Sequence, residues 1–339
     1  MGIRPTPRLV LLLALLVLTA VAAAGCGRDD DEGDGAAAGG GETTTAEATT
    51  EEQTEELSGT ILIDGSSTVG PLTTAAAEAF RAEQPGVSTE VGVSGTGGGF
   101  ERFCAGETDI SNASRPIDEE EEVPLCQEAG IEYTEFQVGV DALTVVVNTE
   151  NDWATCLTVD QLKKMWEPAA EGKVTKWNQV DPSFPDQALA LAGPGTDSGT
   201  FDYFTDEING EEGASRADYT ASEDDNVIVQ AVQGDPGALG YFGYTYYEEN
   251  QDTLKAVEVD GGEGCVAPSV ETARDGSYTP LSRPLFIYVK NESLAKPEVQ
   301  AFVEYFLTNS IQLAEEALFI PVPDDVVQEN LSTLEASGT

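Results

Sequence analysis

Between residues 57 and 339 the apolar positions switch repeatedly between a period of two and a period near 3.6, the periods of strand and helix. Residues 60–64, Thr-Ile-Leu-Ile-Asp, predict a short strand. After a small polar turn, Pro71 opens a predicted helix that runs to Arg81 with Leu72, Ala76 and Phe80 on one stripe; proline is favourable at a first helical position. Residues 87–93 alternate as a strand, and the glycine-rich segment 94–99 leads into a short helix carrying Phe100 and Phe103. Residues 142–147 predict a strongly β-branched strand, and 157–166 a helix with Leu157, Leu162 and Trp166 inward. A strand at 189–192 precedes a helix marked by Phe201, Phe204 and Ile208. A helix at 226–232, strands at 237–242 and 284–289, and one or two closing helices within 298–318 complete the pattern. Strand–turn–helix repetition implies α/β layers around a largely parallel sheet.

The pattern before residue 57 is different. Two arginines within the first eight residues precede an apolar run, 9–24, and small residues then lead into Cys26. That run is shorter than the ~20 residues that span a bilayer, so residues 1–25 read as a secretory signal peptide. Cys26 resembles the acylated cysteine of a bacterial lipobox, which implies a lipid anchor on the extracytoplasmic face of the membrane. Residues 26–56 hold little besides Gly, Ala, Thr and acid. Such a segment has too little to bury to offset its ordering entropy, so it is expected to be a disordered acidic tether.

Charge and missing residue types narrow the chemistry. The chain carries 62 acids against 16 bases, a net charge of −46, and 51 of those acids with 13 of the bases lie from Leu57 onward. Nucleic-acid binding, which needs basic surface, is excluded. An anionic ligand would meet a repulsive mean field, so local donors must overcome it. No histidine occurs anywhere, which removes Ser-His-acid and Cys-His hydrolases. No carboxylate pair is singled out for glycoside hydrolysis either. Cys104, Cys126, Cys156 and Cys265 are expected to be oxidised outside the cytosol, with three connectivities open. Without a C-x₂-C pair or a histidine they do not suggest zinc, and no metal or other cofactor is implied.

Three turns share one design, in which a strand ends, small hydroxyl residues and glycines follow, and a helix begins: 66–70, 94–99 and 197–200. A helix start offers unpaired N–H groups and the positive end of a dipole, where an anion is stabilised. Ser and Thr add donors without charge, and glycine admits close backbone approach. A single turn of this kind is ordinary capping. Three at the ends of strands in one α/β fold converge on a crevice. The segment Asp109-Ile110-Ser111-Asn112-Ala113-Ser114-Arg115-Pro116 adds a lone arginine, able to fork onto a tetrahedral oxyanion or to pair with the nearby acids 118–122.

In order along the chain, Gly65-Ser66-Ser67-Thr68-Val69, Ser94-Gly95-Thr96-Gly97-Gly98-Gly99, the segment 106–116 and Asp197-Ser198-Gly199-Thr200 resemble the ligand motifs of phosphate-binding proteins of ABC importers. Residues 157–162, 176–178, 237–241 and 284–289 resemble that family's later segments, so the likeness spans 57 to about 334. It implies a type II periplasmic-binding-protein fold, with lobe 1 from 57–142 and 283–339, lobe 2 from 143–282, and a ligand cleft between them. Bridges kept within each lobe would then be Cys104–Cys126 and Cys156–Cys265. Carried over by motif, phosphate would meet Ser67, Thr68 and the Val69 backbone, then Ser94, Thr96 and Gly97, then Ser198, Gly199 and Thr200. Some members of the family have an arginine where this chain has Pro194, and an aspartate where it has Ser114. The positive fork is therefore expected to have moved to Arg115 beside Ser114, and Asp197 or Asp225 to accept the proton of hydrogen phosphate. The implied role is capture of inorganic phosphate and delivery to an importer's permease by a monomer that breaks no bond. Sulfate or molybdate binding, a phosphate-cleft enzyme and a sensor are the alternatives.

Overall fold

The structure, a computed structural model, describes residues 56–196 and 198–337; the signal segment, Cys26 and the tether before Glu56 lie outside the described residues. The chain begins with β1 (Gly59–Gly65), α1 (Val69–Glu83), β2 (Val87–Val91), α2 (Gly95–Cys104), β3 (Ile110–Ala113) and α3 (Glu122–Ala129). A long strand, β4 (Tyr133–Asn148), leads to β5 (Cys156–Thr158), α4 (Val159–Trp166), α5 (Trp177–Val180), β6 (Ala190–Gly193) and α6 (Gly199–Phe204). A π-helical turn, Thr205–Asn209, continues α6. Then come β7 (Thr220–Ala221), α7 (Asp225–Gly234), β8 (Ala238–Gly243), α8 (Tyr244–Asn250), β9 (Leu254–Ala256), β10 (Glu258–Asp260), β11 (Cys265–Val266) and α9 (Val270–Arg274). The chain returns on β12 (Ser282–Lys290) and closes with α10 (Asn291–Leu294), α11 (Pro297–Thr308), α12 (Ser310–Glu316) and α13 (Asp324–Ser337).

The main sheet runs β2-β1-β3-β12-β4-β8-β6-β7, with β9 also paired to β4. β1 is parallel to β2 and β3, and β6 to β7 and β8. The centre differs from the expected largely parallel sheet. β12 is antiparallel to both β3 and β4, and β4 is antiparallel to β8. The reason is topological: one strand carries the chain out of the first half and the other carries it back, so the two run in opposite directions. A small second sheet, β11-β10-β5, stands apart.

Two apolar cores flank the crossing strands. One gathers Leu72 and Phe80 of α1, Phe136 of β4, Ile287 of β12 and Phe302 and Phe306 of α11. The other gathers Val145 and Val147 of β4, Trp166, Trp177, Phe204 and Tyr241. Burial of side chains this size contributes about 1.5–3 kcal/mol each against exposure, so each half has its own means of holding together. Both bridges form as anticipated, Cys104–Cys126 and Cys156–Cys265.

Element edges shift for local reasons. α1 begins at Val69, so Pro71 sits third in the helix, still within the first turn where an N–H has no helical partner. Leu157 lies on β5, not in α4. Thr158 ends that strand and caps the helix through a reciprocal pair with Gln161.

Candidate functional site

The hydroxyl-bearing turns meet in one cleft of about 850 Å³. Ser67 and Thr68 enter it from the end of β1, Ser94, Thr96 and Gly97 from the segment after β2, Ser114 and Arg115 from the end of β3, and Gly199 from the start of α6. Ser66 N donates to Asn112 O at 2.9 Å and Ser66 O accepts from Gly70 N at 3.0 Å, which swings the chain from β1 into α1. α2 lies hard against that turn. A Cβ on Gly99 would come within 2.5 Å of Gly65 Cα, and Gly65 itself has φ +136° with Asn112 O 2.1 Å from the Cβ position. Only glycine fits at either place, so the first two turns are locked together.

Asp64, buried at the end of β1, ties the second turn to the first. Its Oδ1 accepts from Gly65 N at 2.7 Å and from Ser94 N at 3.0 Å, and its Oδ2 pairs with Arg102 of α2. Thr96 Oγ1 accepts from Ser114 N at 3.2 Å and lies 3.1 Å from Ser114 Oγ, linking the second turn to the third strand. Across the cleft, a Cβ on Gly199 would stand 3.4 Å from Thr68 Oγ1, so the turn at α6 faces the turn at α1 directly.

The cation at the centre is Arg283, which the sequence pattern did not single out. It sits at the start of β12, with Nη2 donating to Thr68 Oγ1 at 2.6 Å, Nη1 to Ser114 Oγ at 3.3 Å and Nε to Asp141 Oδ2 at 3.2 Å. Asp141 is buried on β4; burial pushes its carboxyl up while Arg283 pulls it down. The signal was present as Ser282-Arg283-Pro284 directly ahead of an apolar strand, one residue before the strand edge that periodicity marks.

Arg115 is placed differently from the expected anion fork. Its Nη1 and Nη2 donate to the two oxygens of Glu122 at 2.8 and 2.7 Å, so both arms of the fork are committed, and its side chain is 45% exposed. The acids that follow it in sequence have claimed it. Pro194 adds no cation; its carbonyl accepts from Tyr219 Oη at 2.8 Å.

Of the other expected ligands, Val69 is not among the residues lining the cleft; its side chain is fully buried, and its N–H donates to Ser66 Oγ at 3.4 Å. Ser198 caps α6, its hydroxyl accepting from Thr200 N at 3.2 Å. Asp197 lies outside the described residues. Asp225, at the start of α7, is not among the residues lining the cleft. The carboxylates that do line it are Asp202, Asp206, Glu207 and Glu212. Burial, with Glu212 adding, raises Asp202, and burial, with Asp206 adding, raises Glu207; Arg283 opposes both shifts. The arrangement is a donor-rich cradle around the Arg283 guanidinium, faced by carboxyls of which burial raises Asp202 and Glu207. It can hold a small tetrahedral oxyanion and offer an acceptor to its proton.

Known proteins share this architecture. A family model described as a PBP superfamily domain matches residues 43–310. Protein SphX of Synechocystis sp. is 50% identical over 271 residues, 80% of each chain. Phosphate-binding protein PstS of Staphylococcus saprophyticus is 41% identical over 279 residues, 82% of this chain and 85% of that one. The crystal structure of a possible phosphate binding protein from Planctomyces limnophilus superposes with a TM-score of 0.81 at 48% identity, covering 84% of this chain and all of that one.

Proposed function

This chain belongs to the PBP superfamily and, within it, to the phosphate-binding PstS family, and on that premise we propose that it captures inorganic phosphate in the cleft and delivers it to an ABC-type importer. The fold is the mixed α/β fold of periplasmic binding proteins. One observation carries the ligand assignment: hydroxyl-bearing turns from separate strands and the Arg283 guanidinium face a single cleft.

Phosphate is held by Ser67, Thr68, Ser94, Thr96, Gly97 and Ser114 on one side and by the Ser198–Gly199–Thr200 turn on the other, with Arg283 as the fork in place of Arg115. A guanidinium only donates. The Thr68 hydroxyl accepts from Arg283, so its own proton is free to turn to a ligand oxygen; Ser114 also accepts from Arg283 and shares a hydroxyl hydrogen bond with Thr96, which leaves one proton of that pair for the ligand. Such a cradle suits any oxyanion, sulfate included, until something accepts the proton of hydrogen phosphate. We assign that acceptor to Asp202, one turn beyond Ser198 on α6, in place of Asp197 or Asp225. Its carboxyl lines the cleft and already feels Arg283.

We place the lobe division at 142 and 283, where β4 and β12 pair at Ala142–Ser282 and run side by side. Closure about those strands buries the anion and presents the closed form to permease subunits, with no bond broken. Among the described residues no helix is long and apolar enough to cross a membrane. The proposed protein is a monomer on the extracytoplasmic face, attached through a lipid on Cys26 and a tether to residue 56. Titration of the folded chain with phosphate and sulfate by calorimetry tests the ligand, Asp202→Asn erasing any preference between them. Cys26→Ser tests the anchor: the protein leaves the membrane fraction, and retention there contradicts lipidation.

A further inference from the structure

Arg283 is held on its flat face as well as its edges. Its Cζ stands 3.5 Å from the ring centroid of Tyr203, a residue of α6 that is 3% exposed. The Tyr203 hydroxyl donates to Pro280 O at 2.6 Å, three residues before Arg283, so the ring is fixed at its far end too. On the edges, Asp141 takes Nε, Thr68 takes Nη2 and Ser114 takes Nη1. A guanidinium with three edge partners still rocks about its own plane unless something covers a face. Tyr203 supplies that cover, and an aromatic face is a favourable one for a cation.

The placement of the ring has a second consequence. Tyr203 rides on the helix whose start carries Gly199, the residue that approaches Thr68 across the cleft. The anion-binding turn of one lobe and the brace on the arginine that serves the other lobe's hydroxyls therefore move as one rigid piece. We propose that Tyr203 is a positioning residue: its ring stacks on Arg283 and couples the approach of α6 to the orientation of the guanidinium, so that closing the cleft and aiming the fork are one event. The inference rests on Arg283 serving as the phosphate cation.

The test is calorimetric titration of the full folded chain with inorganic phosphate, using Tyr203→Phe and Tyr203→Leu, each alone and combined with Arg283→Lys. Tyr203→Phe keeps the ring and stays within about twofold of the parent. Tyr203→Leu removes the face and weakens binding about tenfold, which is ~1.4 kcal/mol. In the Arg283→Lys background, where no planar fork remains to be oriented, the Tyr203→Leu effect shrinks to about threefold or less. A merely structural ring would give the same loss in both backgrounds, or no loss of affinity with only a lower melting temperature; either outcome overturns the proposal. If Tyr203→Leu does not fold, Tyr203→Met carries the same comparison. Absence of phosphate binding by the parent protein removes the phosphate assignment itself, and the brace falls with it; that failure is recognisable because it precedes any substitution.

Discussion

Replacing Arg283 by alanine removes the cation on which the cradle is built. In the structure its two Nη groups lie 2.6 and 3.3 Å from the hydroxyls of Thr68 and Ser114, within reach of an anion held between them. A hydrogen bond to a charged group contributes roughly 1.5–3 kcal/mol. Loss of a two-armed fork therefore costs about 3–4 kcal/mol, or roughly a hundred- to a thousand-fold in dissociation constant. The substitution also strands Asp141, which is 5% exposed, and removing one partner of a buried pair is destabilising. Arg283→Lys separates these effects, because it keeps a positive charge and loses the fork; its affinity falls by about tenfold or more with most of the stability retained. Arg115→Ala is the contrast. Both arms of Arg115 already serve Glu122, so its removal changes phosphate affinity by no more than about threefold. The assay is calorimetry on each purified variant, with thermal unfolding of the ligand-free protein alongside. Folded Arg283→Ala with affinity within threefold of the parent, or Arg115→Ala with the greater loss, would refute the reasoning.

Other consequences concern stability and the geometry of the turns. The Asp225 carboxyl is pushed up to about 6, first by burial and then by Asp224 and Glu223. A raised carboxyl favours the protonated folded state, so its stabilising share is complete below about pH 4 and is lost as pH rises through about 6. Asp225→Asn therefore melts a few degrees above the parent at pH 7.5, for a gain of about 1–2 kcal/mol after solvent screening, and with no such gain at pH 4; equal differences at both values would contradict it. The Cys156–Cys265 bridge spans 109 residues, so its double alanine variant loses about 3–5 kcal/mol in urea unfolding. Gly99→Ala puts a Cβ 2.5 Å from Gly65 Cα; α2 must shift, and phosphate affinity falls at least about tenfold while the core around Trp166 and Tyr241 is kept.

Much of this molecule was legible in its sequence, and the gaps have physical causes. Local periodicity located β1, α1, α2, β6, α7, β8 and most of β12, because each pairs an apolar face with a polar turn. It did not mark β3, whose Ile110-Ser111-Asn112-Ala113 is wholly buried yet half polar, since Asn112 accepts from Thr73 and the strand pairs on both sides. It shortened β4 to its β-branched end, because Glu135, Gln137 and Asp141 interrupt the apolar run at the crossing. Direction is not encoded locally either, so the antiparallel crossing strands read as parallel. The hydroxyl turns were visible because strand ends and glycines punctuate them. Arg283 was not, because it reaches Thr68 across 215 residues of sequence, whereas Arg115 caught the eye beside Ser114 and is taken by Glu122, seven residues on.

The measurement that bears most directly on the account is calorimetric titration of the folded chain with phosphate and, separately, with sulfate at the same pH and ionic strength. The expected result is saturable binding of one phosphate per chain, weakened by sodium chloride far less than a screened surface contact would be, and a markedly weaker response to sulfate. No saturable phosphate binding would contradict the cradle. Equal affinity for the two anions would contradict the carboxyl acceptor that sets them apart.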